Sequence, residues 1–409
     1  MNELLYLVHR IPYPPNKGDK IRSFHLLKHL AQSYKVHVGA FVDDPDDWRY
    51  AEPLAQLAGG EINLLPLNSR TATLKSASGL LTGEPLSLPY YRNQRMRAWV
   101  DMMLSTRPIH HAVVYSSSMA QYVMDRPGLR RLIDFVDIDS DKWRQYAAKK
   151  SPPLSWVYQR ESQKLFSYEQ RVTQTFDAAC FVSEAEASLF KQLAPACAHK
   201  VFAFSNGVDT DFFSPANAGT SPYPADARAI VFTGAMDYWA NVDAVVWFAK
   251  EAFPAIRSVH RDVKFYIVGA RPSAEVEALA KEPNVVVTGS VPDTRPYIAH
   301  AALAVAPLRI ARGIQNKVLE AMAMGKPAIV TPEALEGIGA EPGRELLLAA
   351  DAPSFATHSL QLLANPTPEM GIAARARVVA DFAWEAHLAQ FDARLHEEPY
   401  SLQHRKVAA

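Results

Sequence analysis

The chain has 409 residues, with 43 Lys and Arg against 43 Asp and Glu. It therefore has no bulk field that would select nucleic acid or draw it as a whole to anionic lipid. Length favours two domains of roughly 200 residues over one core, and two cysteines, Cys180 and Cys197, exclude a disulfide framework and a cysteine-based metal centre.

The opening, MNELLYLVHRIPYPP, lacks the basic flank and long apolar core of a secretion signal. Nowhere does the chain approach the run of ~20 apolar residues that crosses a bilayer. The expectation is a cytoplasmic protein, with peripheral contact to the cytoplasmic face of the inner membrane left open. Short apolar runs then alternate with helical patterns, the mark of βα units and parallel sheets. In the first half the strand candidates are Leu4–Val8, Val36–Phe41, Ile62–Leu67, Ala112–Ser116, Leu132–Val136, Ala178–Ser183 and Val201–Phe204. A long helix is expected over Leu154–Thr175. Pro, Ala, Gly and Ser dominate Ser214–Arg228, which has the chemistry of a linker. The rhythm restarts with AIVFTG, VKFYIVG, NVVVTG, ALAVAP, PAIVT and LLLAA, and a helical tail runs from about Pro368 to His396 with Trp384 inside it. The domain division expected is 1–208, a linker over 209–228, a second domain over 229–380, and a C-terminal helix in 381–409 packing back toward the first domain. The fold class is α/β, with two Rossmann-like doubly wound domains facing a central cleft.

Chemistry concentrates in ALAVAPLRIARGIQNKVLEAM, which reads as strand, loop and helix. From Thr294 to Leu319 no acidic residue occurs, while Arg295, Arg309, Arg312 and Lys317 all fall there. A cation in the first turn of a helix opposes the helix dipole, so Lys317 implies an anion to hold. Gly313 lets backbone N–H groups turn toward that anion, and helix-terminal amides at Ile314, Gln315 and Asn316 with Arg309 and Lys317 compose a phosphate or diphosphate site. Glu320 lies one turn after Lys317 on the same face. The alternative for that pair is an exposed surface ion pair of small energetic weight.

NKVLEAMAMGKPAIVT resembles the characteristic block of family 4 retaining glycosyltransferases, which have the GT-B fold. NGVDTDFFSP (Asn206–Pro215), FTGAMDYWANVDAVVWF (Phe232–Phe248), Val287–Arg309 and the opening PYPPNKGDKIRSFHLLKHLA resemble other blocks of the same family. The group most similar is the sugar transferases of exopolysaccharide loci that accompany exosortase (PEP-CTERM) systems. The resemblance implies a donor that is a nucleotide-diphosphate sugar, a saccharide or lipid-linked saccharide acceptor, retention of configuration, and no cofactor or essential metal. It implies donor contacts at Gly18, Gly234, Asp237, Asn241, Val291, Arg309, Gly313, Ile314, Gln315, Asn316, Lys317 and Glu320, with Arg309, Lys317 and Glu320 closest to the chemistry. Glu320 occupies the place of the second Glu of an E-x7-E pair, which binds the nucleotide ribose. The first Glu, which reads the donor sugar, is replaced here by Arg312. Where relatives carry Arg and Lys after Gly234, this chain has Asp237 and Asn241. Two other readings keep the fold: a nucleotide-sugar epimerase, and a non-catalytic nucleotide-sugar sensor.

On the acceptor side the candidates are Asp19, Arg22, Asp137 and Asp139, with helix capping as the alternative for Asp139. Tyr115–Ser118 stands where relatives carry a histidine, so no catalytic His is assigned. Cys180 reads as core, and Trp239, Trp247 and Trp384 read as packing rather than as sugar platforms. Apolar residues mixed with Lys75, Arg92, Arg95 and Arg97 between Thr71 and Met103 read either as an interfacial patch or as ordinary surface helices.

Overall fold

The computed structural model describes residues 2–15, 18–148, 150–225, 227–311 and 314–397. They form two compact units: residues up to Ser205 together with those from His387 onward, and Asn206–Ala386.

The first unit holds seven strands: β1 (Asn2–Val8), β2 (Tyr34–Val42), β3 (Gly59–Pro66), β4 (Ile109–Tyr115), β5 (Arg130–Val136), β6 (Ala178–Phe181) and β7 (Val201–Ala203). All pair in parallel, in the order β3-β2-β1-β4-β5-β6-β7. The second unit has β8 (Arg228–Thr233), β9 (Val263–Val268), β10 (Val285–Gly289), β11 (Leu303–Ala306), β12 (Ala328–Val330) and β13 (Leu347–Leu348), again all parallel, in the order β10-β9-β8-β11-β12-β13. Both are doubly wound α/β sheets of the Rossmann order, and each reverses direction beside its first strand. The strand sequences follow from this. Leu4–Val8 and Ala229–Thr233 are buried throughout, as strands covered by helices on both faces must be, so apolar runs replace alternation. Strand β3 begins three residues before the expected Ile62. Gly60 passes so close to β2 that a Cβ there would lie 2.2 Å from Val36 O, an approach that glycine alone permits.

Residues Ser214–Arg228, linker-like in composition, lie in the second unit. The Tyr223 ring lies 4.5 Å from that of Tyr266, tilted by 56°, and its hydroxyl donates to Tyr297 O. The helical tail is two helices, Pro368–Asp381 and Trp384–His396, rather than one. The break falls where Ala383 bridges to Val208 and Val208 N donates to Phe382 O at 2.7 Å. Phe382 N still donates to Val378 O at 2.9 Å, while its carbonyl is turned to Val208. Within the first unit, the end of the last helix packs Phe391 against Phe202 and Phe204. Arg130 donates to the carbonyls of Arg394 and Leu395 at 2.7 and 2.8 Å, filling acceptors that a helix end leaves open.

A buried ion pair organises the carboxyl edge of the first sheet. Arg22, 1% exposed, donates Nε and Nη2 to Asp134 at 2.7 and 3.2 Å and lies 4.1 Å from the centre of the Phe204 ring. Asp134 Oδ1 also accepts Val136 N, and its carbonyl accepts Ser116 N. Both of those residues have positive φ, 70° and 78°, a strained state for a β-branched valine. Removing one member leaves the other charge buried and uncompensated. Asp134→Ala should therefore cost about 3–5 kcal/mol, read as a fall in urea midpoint, and the double variant Arg22→Met/Asp134→Leu should recover much of it.

Candidate active site

The site is assembled in the second unit at the switch point between β8 and β11. The loop after β8 turns at Gly234, whose N–H donates to Val268 O at 3.0 Å. A Cβ on Gly269 would lie 1.6 Å from Gly234 O, so these two loops touch backbone to backbone. The loop then enters the helix Trp239–Trp247. Its Asn241 is buried and donates Nδ2 to Ala235 O at 2.9 Å, while Oδ1 is buried with no hydrogen-bond partner. After β11, Leu308 O accepts the Thr331 hydroxyl at 2.6 Å, which anchors the start of the loop leading to the helix Asn316–Ala323. That helix opens at Gln315 without a side-chain cap, and of its first-turn amides Val318 N donates to Gln315 O, which leaves those of Asn316 and Lys317 for an acceptor.

Lys317 and Glu320 project from this helix. A Cβ at Gly234 would meet Asn241 Nδ2 at 2.8 Å and Lys317 Cε at 3.4 Å, so Gly234, Asn241 and Lys317 adjoin. The Lys317 ammonium lies 5.6 Å from the centre of the Phe232 ring. No hydrogen bond or ion pair joins Lys317 or Glu320 to each other or to another described side chain. Burial lowers the Lys317 ammonium pKa against the pull of Glu320. Burial likewise pushes the Glu320 carboxyl up to about 7, with Lys317 opposing. The exposed-ion-pair alternative thus does not describe these residues. The Lys317 ammonium, the Glu320 carboxyl and Asn241 Oδ1, partly or wholly withdrawn from water, make no hydrogen bond among the described residues, and Lys317 and Asn241 adjoin Gly234 at the strand end. Buried polar groups are nearly always paired in a finished structure, so this arrangement suits a ligand carrying both an anion and hydroxyls.

The other expected donor residues are placed differently. Arg309 is exposed and bound to Asp243, Nε to Oδ2 at 3.0 Å and Nη2 to Oδ1, with its guanidinium 5.8 Å from the centre of the Trp247 ring. It is thus engaged by a carboxylate rather than free for a diphosphate. Asp243 and Trp247 lie one turn apart on one helix, a spacing legible in the sequence once the partner is known. Asp237 is held by Arg271, Nε to Oδ2 at 2.8 Å. Val291 packs on the apolar cluster around Tyr266, Ile298 and Ala304. Ile314 lies against Gly337, where a Cβ would approach its Cγ1 to 3.2 Å. Arg312 and Gly313 lie outside the described residues. Trp247 and Trp384 do pack, but Trp239 and its neighbour Tyr238 are 56% and 54% exposed, which corrects the packing reading of Trp239. Its position at the first turn after a switch-point glycine was the available signal.

On the acceptor side, Arg22 is the buried partner of Asp134 and cannot face a substrate. Asp137 and Asp139 both bind Lys142, at 2.6 and 3.3 Å. Gly18 opens the helix Gly18–Ser33, and the Asp19 side chain lies outside the described residues.

Residues 227–365, which contain Gly234, Asn241, Lys317 and Glu320, match the family described as Glycosyl transferases group 1. No curated protein matches the chain. Several solved structures share the fold. Sucrose-phosphate synthase from Thermosynechococcus elongatus is 17% identical, with a TM-score of 0.64 and 100% of both chains covered. A glycosyltransferase from Rickettsia africae is 13% identical, with a TM-score of 0.63 over 97% of this chain and 99% of its own. Anabaena HepE, solved in complex with UDP-glucose, is 14% identical, with a TM-score of 0.62 over 97% and 99%. The fold is that of the GT-B glycosyltransferases, and the chain is a glycosyltransferase enzyme.

The raised Glu320 carboxyl has a consequence for stability. Its folded pKa of about 7 exceeds the unfolded value of 4.5, so the folded state holds the extra proton between them, and stability falls as pH rises through that window. Glu320→Gln should melt a few degrees (~3–5 °C) above the parent at pH 8, and the gap should close below about pH 4.5. Scanning calorimetry without ligand checks both.

Proposed function

We propose that the enzyme is a retaining glycosyltransferase of family 4. In this reading it moves a sugar from a nucleotide-diphosphate donor to a hydroxyl of a saccharide or lipid-linked saccharide, in exopolysaccharide synthesis of the exosortase-associated kind. The observation that carries the reading is the set of Lys317, Glu320 and Asn241 Oδ1 at the switch point of the second sheet, none hydrogen-bonded among the described residues. HepE, of the same fold, is solved with UDP-glucose, which supports a donor of that class.

The glycosidic C1–O bond breaks with its electron pair passing to the diphosphate. Negative charge grows there, and a fixed cation in a site of low dielectric stabilises it more than it stabilises the ground state. Lys317 supplies that cation, and the uncapped helix start adds its amides. Glu320 accepts the ribose hydroxyls, and Asn241 Oδ1 takes a further donor hydroxyl. In this reading, which follows the resemblance to the family, the acceptor oxygen bonds to C1 on the face the diphosphate leaves, and the acceptor's proton passes to the departing diphosphate oxygen. The reaction as proposed uses no cofactor besides the donor.

With a panel of nucleotide sugars and saccharide acceptors, nucleoside diphosphate release should depend on both substrates. Lys317→Ala and Glu320→Ala should each lower kcat/KM at least about a hundredfold; turnover like the parent's in both would refute the assignment. Donor converted without acceptor would point instead to an epimerase, and tight binding without turnover to a sensor.

The ionised carboxylate is the better ribose acceptor. Donor KM should therefore fall roughly fivefold to tenfold from pH 6 to pH 8, and Glu320→Gln should show a raised, flat profile. Initial rates across that range check this.

A further inference from the structure

We propose that the first unit carries a membrane-docking face whose partner is an anionic phospholipid surface. Leu81 and Leu74 are 92% and 78% exposed, more than any other large apolar residue of the described chain. They sit with Leu80 on two short helices, Ser69–Ser76 and Ser78–Thr82, separated by Ala77 alone. A second helix brings more. Arg160, on Leu154–Thr175, donates to Gly79 O at 2.6 Å, and the adjacent Glu161 carboxylate accepts Leu86 N at 2.8 Å. These bonds pin the first turns of that helix to the Gly79–Leu86 segment. Trp156 lies one turn before Arg160 on the same face and is 69% exposed; Leu154, just ahead, is 51% exposed. Four leucines and a tryptophan, gathered and uncovered, exceed the scattered apolar exposure of ordinary surfaces.

The charge around them is mainly positive. Ser69–Gly83 contains Arg70 and Lys75 and no acidic residue. Beside it lies a groove of about 540 Å³ lined by Leu65, Pro66, Lys75, Ser78, Arg92 and Arg95. Arg92 is taken by Glu84, but Lys75 and Arg95 are exposed and form no ion pair among the described residues. Apolar tips with a tryptophan, flanked by unpaired cations over a polar groove, match the acyl–headgroup boundary, where leucine enters the chains and lysine or arginine meets phosphate. No helix of the described residues is long and apolar enough to cross a bilayer, so the face lies on the membrane. The inference rests on the first unit alone and stands or falls apart from the donor reading.

The test is co-sedimentation of the full chain with phosphatidylcholine vesicles, with and without about 30% phosphatidylglycerol. The protein should bind the anionic vesicles roughly tenfold or more tightly than the neutral ones, and high salt should remove that preference. Leu74→Ser/Leu81→Ser and Lys75→Glu/Arg95→Glu should each weaken binding roughly tenfold, with melting temperatures like the parent's because all four side chains are exposed. Trp156→Phe should abolish the blue shift of tryptophan emission on vesicle addition. No binding to anionic vesicles would overturn the proposal. So would binding indifferent to the leucine and charge variants, or a face that captures a protein but no vesicle.

Discussion

The second unit is built around a cost of desolvation. Lys317 and Glu320 are taken partly out of water one turn apart, and neither has a hydrogen-bond or ion-pair partner among the described residues. Each is then pushed toward its neutral form, the lysine down and the glutamic acid up. A fold retains such a cost when something else completes the arrangement, and a bound anion with neighbouring hydroxyls would do so. The sheet order makes this affordable in space: β8 and β11 send their connections to opposite sides, leaving room at their carboxyl ends. Gly234 and Gly269 keep that room open by letting two loops touch through backbone alone.

The two units use the same strand order for different electrostatic ends. In the first, the charged pair at the sheet edge, Arg22 with Asp134, is satisfied bidentately and ties down two positive-φ residues at neighbouring strand ends. In the second, the comparable edge leaves its charges open. A satisfied buried pair fixes geometry, whereas an unsatisfied one creates affinity. The pairing of Arg309 with Asp243 is satisfied as well, though at the surface, whereas its sequence position near Lys317 suggests an open charge.

Much of the architecture was legible. Apolar runs covered on both faces by helices leave a pattern that composition cannot hide, and the break of rhythm before β8 marked a new sheet. Lys317 and Glu320 stood out as candidates because a helix-start cation carries its chemistry locally, whereas Gly234 and Asn241 entered only through the resemblance. Arg22, Asp237, Arg309 and Val291 were not legible, since each is decided by a partner far along the chain: Asp134, Arg271, Asp243 and the cluster around Tyr266. The exposed Trp239 and Leu81 escaped for the converse reason. An apolar side chain looks like core until the fold fails to cover it.

The sequence by itself determined the parallel α/β class, the restart of a second sheet after a Pro- and Gly-rich stretch, and the concentration of cations without acids before Glu320. These follow from periodicity, turn chemistry and charge within a few tens of residues. The tertiary structure alone decided which charges are spent and which are kept. It set Asp243 against Arg309 and left Lys317 and Glu320 without an ion-pair partner among the described residues. It also brought Trp156 alongside the leucines near Gly79. Ion pairing and burial depend on distances between residues scores of positions apart, and only the folded chain sets those distances.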